Sequence, residues 1–233
     1  METIIPNNNT PVAIIAGSGI ELRPLLDEIT KEEPIRQAID APPIPGHECR
    51  FIFGTCANRP IILQAGRRHL YEGLSLQQVT QSVDALHGLG VQHLILTNAA
   101  GGIDKALRPG HLAAATQVRT WPYTPQKLPR ELLPDFAIPQ CDHAGPYRWM
   151  HGPCYETQAE IRALDNLGDA TVGMSAAPEM HRCKQLGIKC ALIACVTNAC
   201  AIPHALSHEA VLNVARQTSQ RLRTLLKNFL STP

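Results

Sequence analysis

The sequence predicts a single α/β domain with a largely parallel β-sheet covered by helices. Two observations carry this. A helix closes on Leu-Gly three times, at Leu89-Gly90, Leu167-Gly168 and Leu186-Gly187, and each time a short apolar strand follows with small or amide residues at its carboxyl end. Repeated αβ units need helices on the faces of a parallel sheet. A length of 233 residues with 44% hydrophobic content suits one domain with a sizeable core. The irregular spacing of the units excludes a solenoid.

Taken in order, residues 1–10 are polar and expected to fray, so the domain runs over 11–233. Pro11–Ala16 is the first buried strand. Gly17-Ser18-Gly19 follows, and a helical stretch is expected from Ile20 to Ile29. Residues 31–48, charged and proline-rich, read as a surface connection. Arg50–Gly54 and Pro60–Ala65 are two strands about a turn at Asn58-Arg59. Ser75-Leu76-Gln77-Gln78 is a capping box that opens the helix ending at Leu89-Gly90. The strand Val91–Leu96 then runs into Thr97-Asn98-Ala99-Ala100-Gly101-Gly102. Leu112–Val118 is a strand, and Trp121–Pro139, interrupted by prolines, is irregular. Thr157-Gln158-Ala159-Glu160 is a second capping box, with Ile161, Leu164 and Leu167 at helical spacing, followed by a strand from Ala170 to Gly173. The third unit is the helix His181–Leu186 and the strand Ile188–Val196. His208–Leu230 is a long helix whose stripe of Leu222, Leu225, Leu226 and Phe229 faces the sheet.

Composition removes several classes of function. The net charge is +1 with scattered basic residues, and aromatics are 4%, so neither a nucleic-acid surface nor a stacking platform is built. No apolar run approaches the length of a membrane span, and Met1-Glu2-Thr3 does not begin a secretory leader, so a cytoplasmic protein is expected. Eight cysteines without a CxxC read as buried free thiols. Ten histidines without an HExxH pattern give a metal site no support.

The chemistry gathers at strand ends, where α/β proteins bind ligands. Gly17-Ser18-Gly19 follows a strand and can offer backbone N–H groups to a phosphate, or be a plain tight turn. Gly66-Arg67-Arg68-His69-Leu70-Tyr71-Glu72-Gly73 sets a guanidinium fork for phosphate oxygens beside an imidazole. Glu156, in Gly152-Pro153-Cys154-Tyr155-Glu156-Thr157, stands just before a helix, and Met174-Ser175 just after a strand. Thr197-Asn198 ends the third αβ strand.

These segments, in this order and together with Thr97-Asn98-Ala99-Ala100-Gly101-Gly102 and Pro178-Glu179, resemble the trimeric, low-molecular-mass class of purine nucleoside phosphorylases over about residues 11–225. The resemblance implies a mixed sheet forming a distorted barrel flanked by helices, and a homotrimer. It implies reversible phosphorolysis of a purine nucleoside to free base and ribose 1-phosphate, with inorganic phosphate as co-substrate and no cofactor. Ser18, Arg67, His69, the Ala99 backbone and Ser175 would hold phosphate. Tyr71, Met174 and His208 would contact the ribose, Tyr155 would stack near the base, and Glu156 and Asn198 would hydrogen-bond it. Asn198, Glu156 and His69 would carry catalysis. The asparagine matches 6-oxopurine members, where methylthioadenosine-using relatives have aspartate. Residues 119–150 are shorter than in typical members, and His111, Gln117-Val118 and Ala176-Ala177 depart from the usual residues. Phosphorolysis of 5′-methylthionucleosides is the neighbouring alternative. A non-catalytic nucleoside binder and a hydrolytic nucleosidase are more distant ones.

Overall fold

The computed structural model describes residues 10–37, 39, 49–121, 127–200 and 208–232. The polar stretch 1–9 lies outside the described residues. The elements in order are β1 (Val12–Ile15), β2 (Glu28–Pro34), β3 (Arg50–Cys56), β4 (Arg59–Ala65), α1 (Leu76–Gly88), β5 (His93–Gly102), β6 (Leu112–Thr120), β7 (Glu131–Leu132), β8 (His143–Trp149), α2 (Gln158–Asn166), β9 (Thr171–Gly173), α3 (Ala177–Leu186), β10 (Lys189–Ala199) and α4 (His208–Ser231).

The strands form one mixed sheet. β5 is its hub, with β1 and β10 parallel on either side of its first half. From β1 the sheet extends through parallel β4 to antiparallel β3 and β2. From β10 it curls through β6, β8 and β9 and returns to β5, closing a barrel. The fold is thus an α/β domain with a closed mixed barrel flanked by four α-helices.

The sequence dictates why the central strands stay inside. Their apolar residues run without interruption, and the period of two sends alternate side chains to two cores. Ala13, Ile15, Leu94, Leu96, Cys190, Leu192 and Ala194 join the core beneath α1 and α3, with Val83, Leu86, Met180 and Cys183. Val12, Ile14, Ile95, Ala191, Ile193 and Cys195 join the core beneath α4, with Leu222, Leu225, Leu226 and Phe229. Both capping boxes form. Ser75 Oγ accepts from the Gln78 N–H at 3.2 Å while Gln78 Oε1 accepts from the Ser75 N–H at 2.9 Å. Thr157 Oγ1 accepts from the Glu160 N–H at 3.3 Å and Glu160 returns the bond at 2.7 Å.

The chain differs most from expectation in three places, besides the short β7 within the stretch expected to be irregular and an α3 that begins at Ala177 rather than His181. The stretch Ile20–Ile29 is not a helix: a 3₁₀ turn at Arg23–Leu25 leads directly into β2, which occupies the start of the expected surface connection. β-branched Ile29 and Thr30 favour a strand, and four charges with a closing proline suit the sheet edge that β2 forms. β8 was hidden by Pro146, which lacks a ladder donor. It pairs with Gln117 beside a register shift in β6, where a proline is tolerated. Finally, β5 and β10 continue past Leu96 and Val196, so the small and amide residues belong to the strands.

One buried charge cluster ties the barrel. The Asp169 carboxylate is 0% exposed and accepts from Arg148 Nε at 2.8 Å and Arg119 Nη1 at 3.1 Å. Arg148 Nη1 also donates to Thr120 O at 3.0 Å. Asp169→Ala strands a buried guanidinium, which costs about 3–5 kcal/mol. The melting temperature is expected to fall by roughly 6–20 °C in a thermal unfolding scan; an unchanged transition would show the cluster to be replaceable.

Candidate active site

The site lies where the sheet splits. On the side facing away from β10, β5 pairs with β1 up to Leu96 and with β9 only from Gly101. Residues 97–100 therefore have no strand neighbour there among the described residues, and this bare edge borders a cavity of about 420 Å³. Gly17 lets the turn after β1 reach the same edge, because a Cβ there would stand 2.6 Å from Asn98 Cα. Ser18, His69, Tyr71, Ala99, Tyr155, Met174, Ser175 and Asn198 all line the cavity. Arg67 and Glu156 are not on its wall. The His208 backbone opens α4, but its side chain lies outside what the structure describes.

One end of the cavity suits an anion. Arg67 stands behind the wall, 1% exposed. Its Nη1 donates to Thr97 O at 2.8 Å and to Ser175 Oγ at 3.0 Å. Its Nε pairs with Glu179 Oε1 at 2.8 Å. Nη2 is buried and makes no hydrogen bond to any described residue. The other Glu179 oxygen accepts the Ala176 N–H at 3.0 Å, fixing the turn between Ser175 and α3, where Ala176 takes φ +79°. A non-glycine residue in that conformation is strained and needs such support. Ser175 thus sits just ahead of a helix N-terminus, whose dipole favours negative charge. His69 is oriented too: its Nδ1–H donates to Glu72 Oε1 at 3.2 Å, and its ring stacks on Tyr71 at 4.7 Å. That bond leaves Nε2 as the nitrogen available to a ligand. Burial, reinforced by Glu72 and Tyr155, pushes the Tyr71 phenol up to about 12, so it stays neutral.

The other end suits a heterocycle. Tyr155, 41% exposed, stands at the mouth. Burial, with a smaller effect of the Glu160 charge, pushes the Glu156 carboxyl up, and its Oε1 has no hydrogen-bond partner among the described residues. Asn198 follows a bulge in β10, where the register against β5 shifts between Val196 and Asn198. Its Oδ1 accepts from Thr197 Oγ1 at 3.1 Å, and its Nδ2 donates to Cys200 Sγ at 3.4 Å. Between the two ends, Asn98 Nδ2 donates to Tyr147 Oη at 2.8 Å, and that hydroxyl donates to Ser175 O at 2.9 Å.

Several supporting residues escaped the sequence reading. Glu72, Asn98 and Glu179 lie inside the quoted motifs, but a motif does not say which member touches ligand and which holds it. Tyr147 lies on β8, the strand that Pro146 concealed. Val211 and Leu212 of α4 add an apolar wall that only tertiary packing brings here.

This is a strand-end site on a closed α/β barrel, with one end that suits an anion and another that suits a polar heterocycle. The profile of the Phosphorylase superfamily matches residues 11–231. Purine nucleoside phosphorylase 1 of Bacillus subtilis is 32% identical over 94% of this chain and 91% of its own length. Among solved structures, purine nucleoside phosphorylase of Schistosoma mansoni in complex with inosine superimposes with a TM-score of 0.80 at 25% identity, covering 97% of this chain and 90% of that one. A Schistosoma mansoni purine nucleoside phosphorylase in complex with adenosine gives 0.77 at 26% identity, covering 97% of this chain and 91% of that one. The chain belongs to the phosphorylase superfamily, and within it to the purine nucleoside phosphorylases.

Proposed function

We propose that this enzyme catalyses reversible phosphorolysis of 6-oxopurine ribo- and deoxyribonucleosides such as inosine and guanosine. Inorganic phosphate is the co-substrate and no cofactor takes part. The observation that supports this reading is one cavity lined by Ser18, His69, Ala99 and Ser175, with Arg67 behind Ser175, at the end that suits an anion, and by Asn198 at the end that suits a base.

Cleaving the glycosidic bond builds positive charge on the sugar and negative charge on the purine. A phosphate dianion at the anion end stabilises the sugar and then bonds to its anomeric carbon. The electron pair of the broken bond goes to the base, where the Asn198 amide donates to N7 as charge collects there. Glu156 accepts from N1–H. Tyr71 and Met174 flank the ribose, with His208 assigned to its 5′ end.

A panel of nucleosides incubated with and without phosphate, with released bases resolved by chromatography, tests the proposal. Inosine and guanosine are expected to turn over only with phosphate, and adenosine little. Phosphate-independent release would mean a nucleosidase, and no release a binder. The panel includes 5′-methylthioinosine, because Val211 and Leu212 give the cavity an apolar wall that suits a methylthio group. Preference for that substrate would replace the first reading.

The proposal extends to a closed homotrimer in the cytoplasm. Among the described residues no helix is long and apolar enough to cross a membrane, and all eight cysteines are free thiols, as suits a reducing compartment. Sedimentation of a stable, active monomer would overturn the trimer.

A further inference from the structure

Directly after β10, Cys200 meets the Asn198 amide, and Glu156 stands near enough for its charge to bear on the thiol. The Cys200 backbone N–H donates to Gly102 O at 2.7 Å, which brings the sulfur over the end of β5. A Cβ on Gly101 would collide with that sulfur, so glycine is what admits it. The thiol is buried, 8% exposed, and accepts from Asn198 Nδ2 at 3.4 Å. At the opposite end of the same carboxamide, Oδ1 faces Thr197 Oγ1 at 3.1 Å, whose one hydrogen it shares with Ala100 O at 3.2 Å. Burial first, and the nearby Glu156 charge second, push the thiol up to about 12, so sulfur meets the amide as a neutral group.

An asparagine amide can present either its oxygen or its nitrogen to a given neighbour, and purine selection depends on which end faces N7. A donor on Oδ1 and an acceptor on one Nδ2 hydrogen fix the rotation of the carboxamide and leave the second Nδ2 hydrogen for a ligand. We propose that Cys200 is a positioning residue for base recognition, its sulfur holding the Asn198 amide in the orientation that donates to the purine. This rests on the reading of Asn198 as the base-binding residue.

The test compares the wild type with Cys200→Ala, Cys200→Val, Cys200→Ser and Asn198→Ala, each checked by a melting curve. The readouts are kcat and KM for inosine and adenosine, and KM for phosphate. Removing the acceptor in Cys200→Ala and Cys200→Val is expected to lower the inosine-to-adenosine ratio of kcat/KM about three- to tenfold, the worth of one neutral hydrogen bond, with phosphate KM unchanged. Cys200→Ser keeps an acceptor and is expected to restore the ratio. Valine fills the space, so a loss shared by alanine and valine but rescued by serine separates hydrogen bonding from packing. If alanine and valine leave the ratio unchanged while Asn198→Ala collapses it, the sulfur has no positioning role and the base reading survives. If Asn198→Ala also leaves the ratio unchanged, the base reading itself falls, and the proposal with it.

Discussion

Arg67→Ala is expected to cut kcat/KM for phosphate by roughly ten- to a hundredfold, as loss of a charge-assisted hydrogen bond of about 1.5–3 kcal/mol implies. KM for the nucleoside should change far less. The guanidinium is not on the cavity wall. Its effect runs through Ser175 Oγ at 3.0 Å, through its buried Nη2, and through a charge that is itself shut off from water. The same substitution carries a second cost, because Glu179, 2% exposed, loses its only ion-pair partner among the described residues. Removing one member of a buried pair is worth about 3–5 kcal/mol of stability. The double variant Arg67→Met with Glu179→Gln separates the two effects. The glutamine can still accept the Ala176 N–H, and no buried charge remains, so melting should recover while phosphate use stays low. Recovery of both would mean that Arg67 acts on the fold alone. Equal losses for phosphate and nucleoside in Arg67→Ala would mean that the anion end has been misplaced.

The αβ units, the capping boxes and the apolar stripe of α4 were legible because each is a local device, written in residues three or four apart or in an unbroken apolar run. β2 and β8 were not. Their proline and charged residues look like loop composition, and they become strands because a neighbour's register and a bulge accept them. The site behaves in the same way. Its wall residues sit in short motifs at strand ends, so the sequence brings out Ser18, His69, Ser175 and Asn198. The split in the sheet beside Thr97–Ala100 depends on β1 ending where β9 has yet to begin, which no local pattern encodes. Tyr147 and Asn98 bridge that split from strands far apart in the chain, which is why they were visible only in three dimensions.

Asn198→Asp is expected to lower turnover of inosine by about 10²–10³-fold, the cost of replacing one preorganised amide donor by a group that donates only while it holds a proton. Turnover of adenosine should rise in absolute terms. Asn198 lies beyond a bulge in β10, between Thr197 and Cys200, with Glu156 close enough to bear on the same thiol. A carboxylate there would face a second carboxylate in a half-dry site, so it tends to keep a proton. The protonated oxygen can donate to N7, and the other can accept from a 6-amino group, which the native amide, with its Oδ1 turned to Thr197, does not. A 6-oxo group loses the match and faces an acceptor. Sites built to hydrogen-bond one functional group discriminate steeply, because the wrong partner leaves buried polar groups unpaired. If Asn198 only supports the strand end, the aspartate variant would lose stability and all activities together, and the adenosine-to-inosine ratio would not move. Measuring that ratio beside a melting curve decides the matter. A ratio raised about a hundredfold or more at an unchanged melting temperature assigns base selection to this side chain. A constant ratio with a lowered melting temperature removes it from that role.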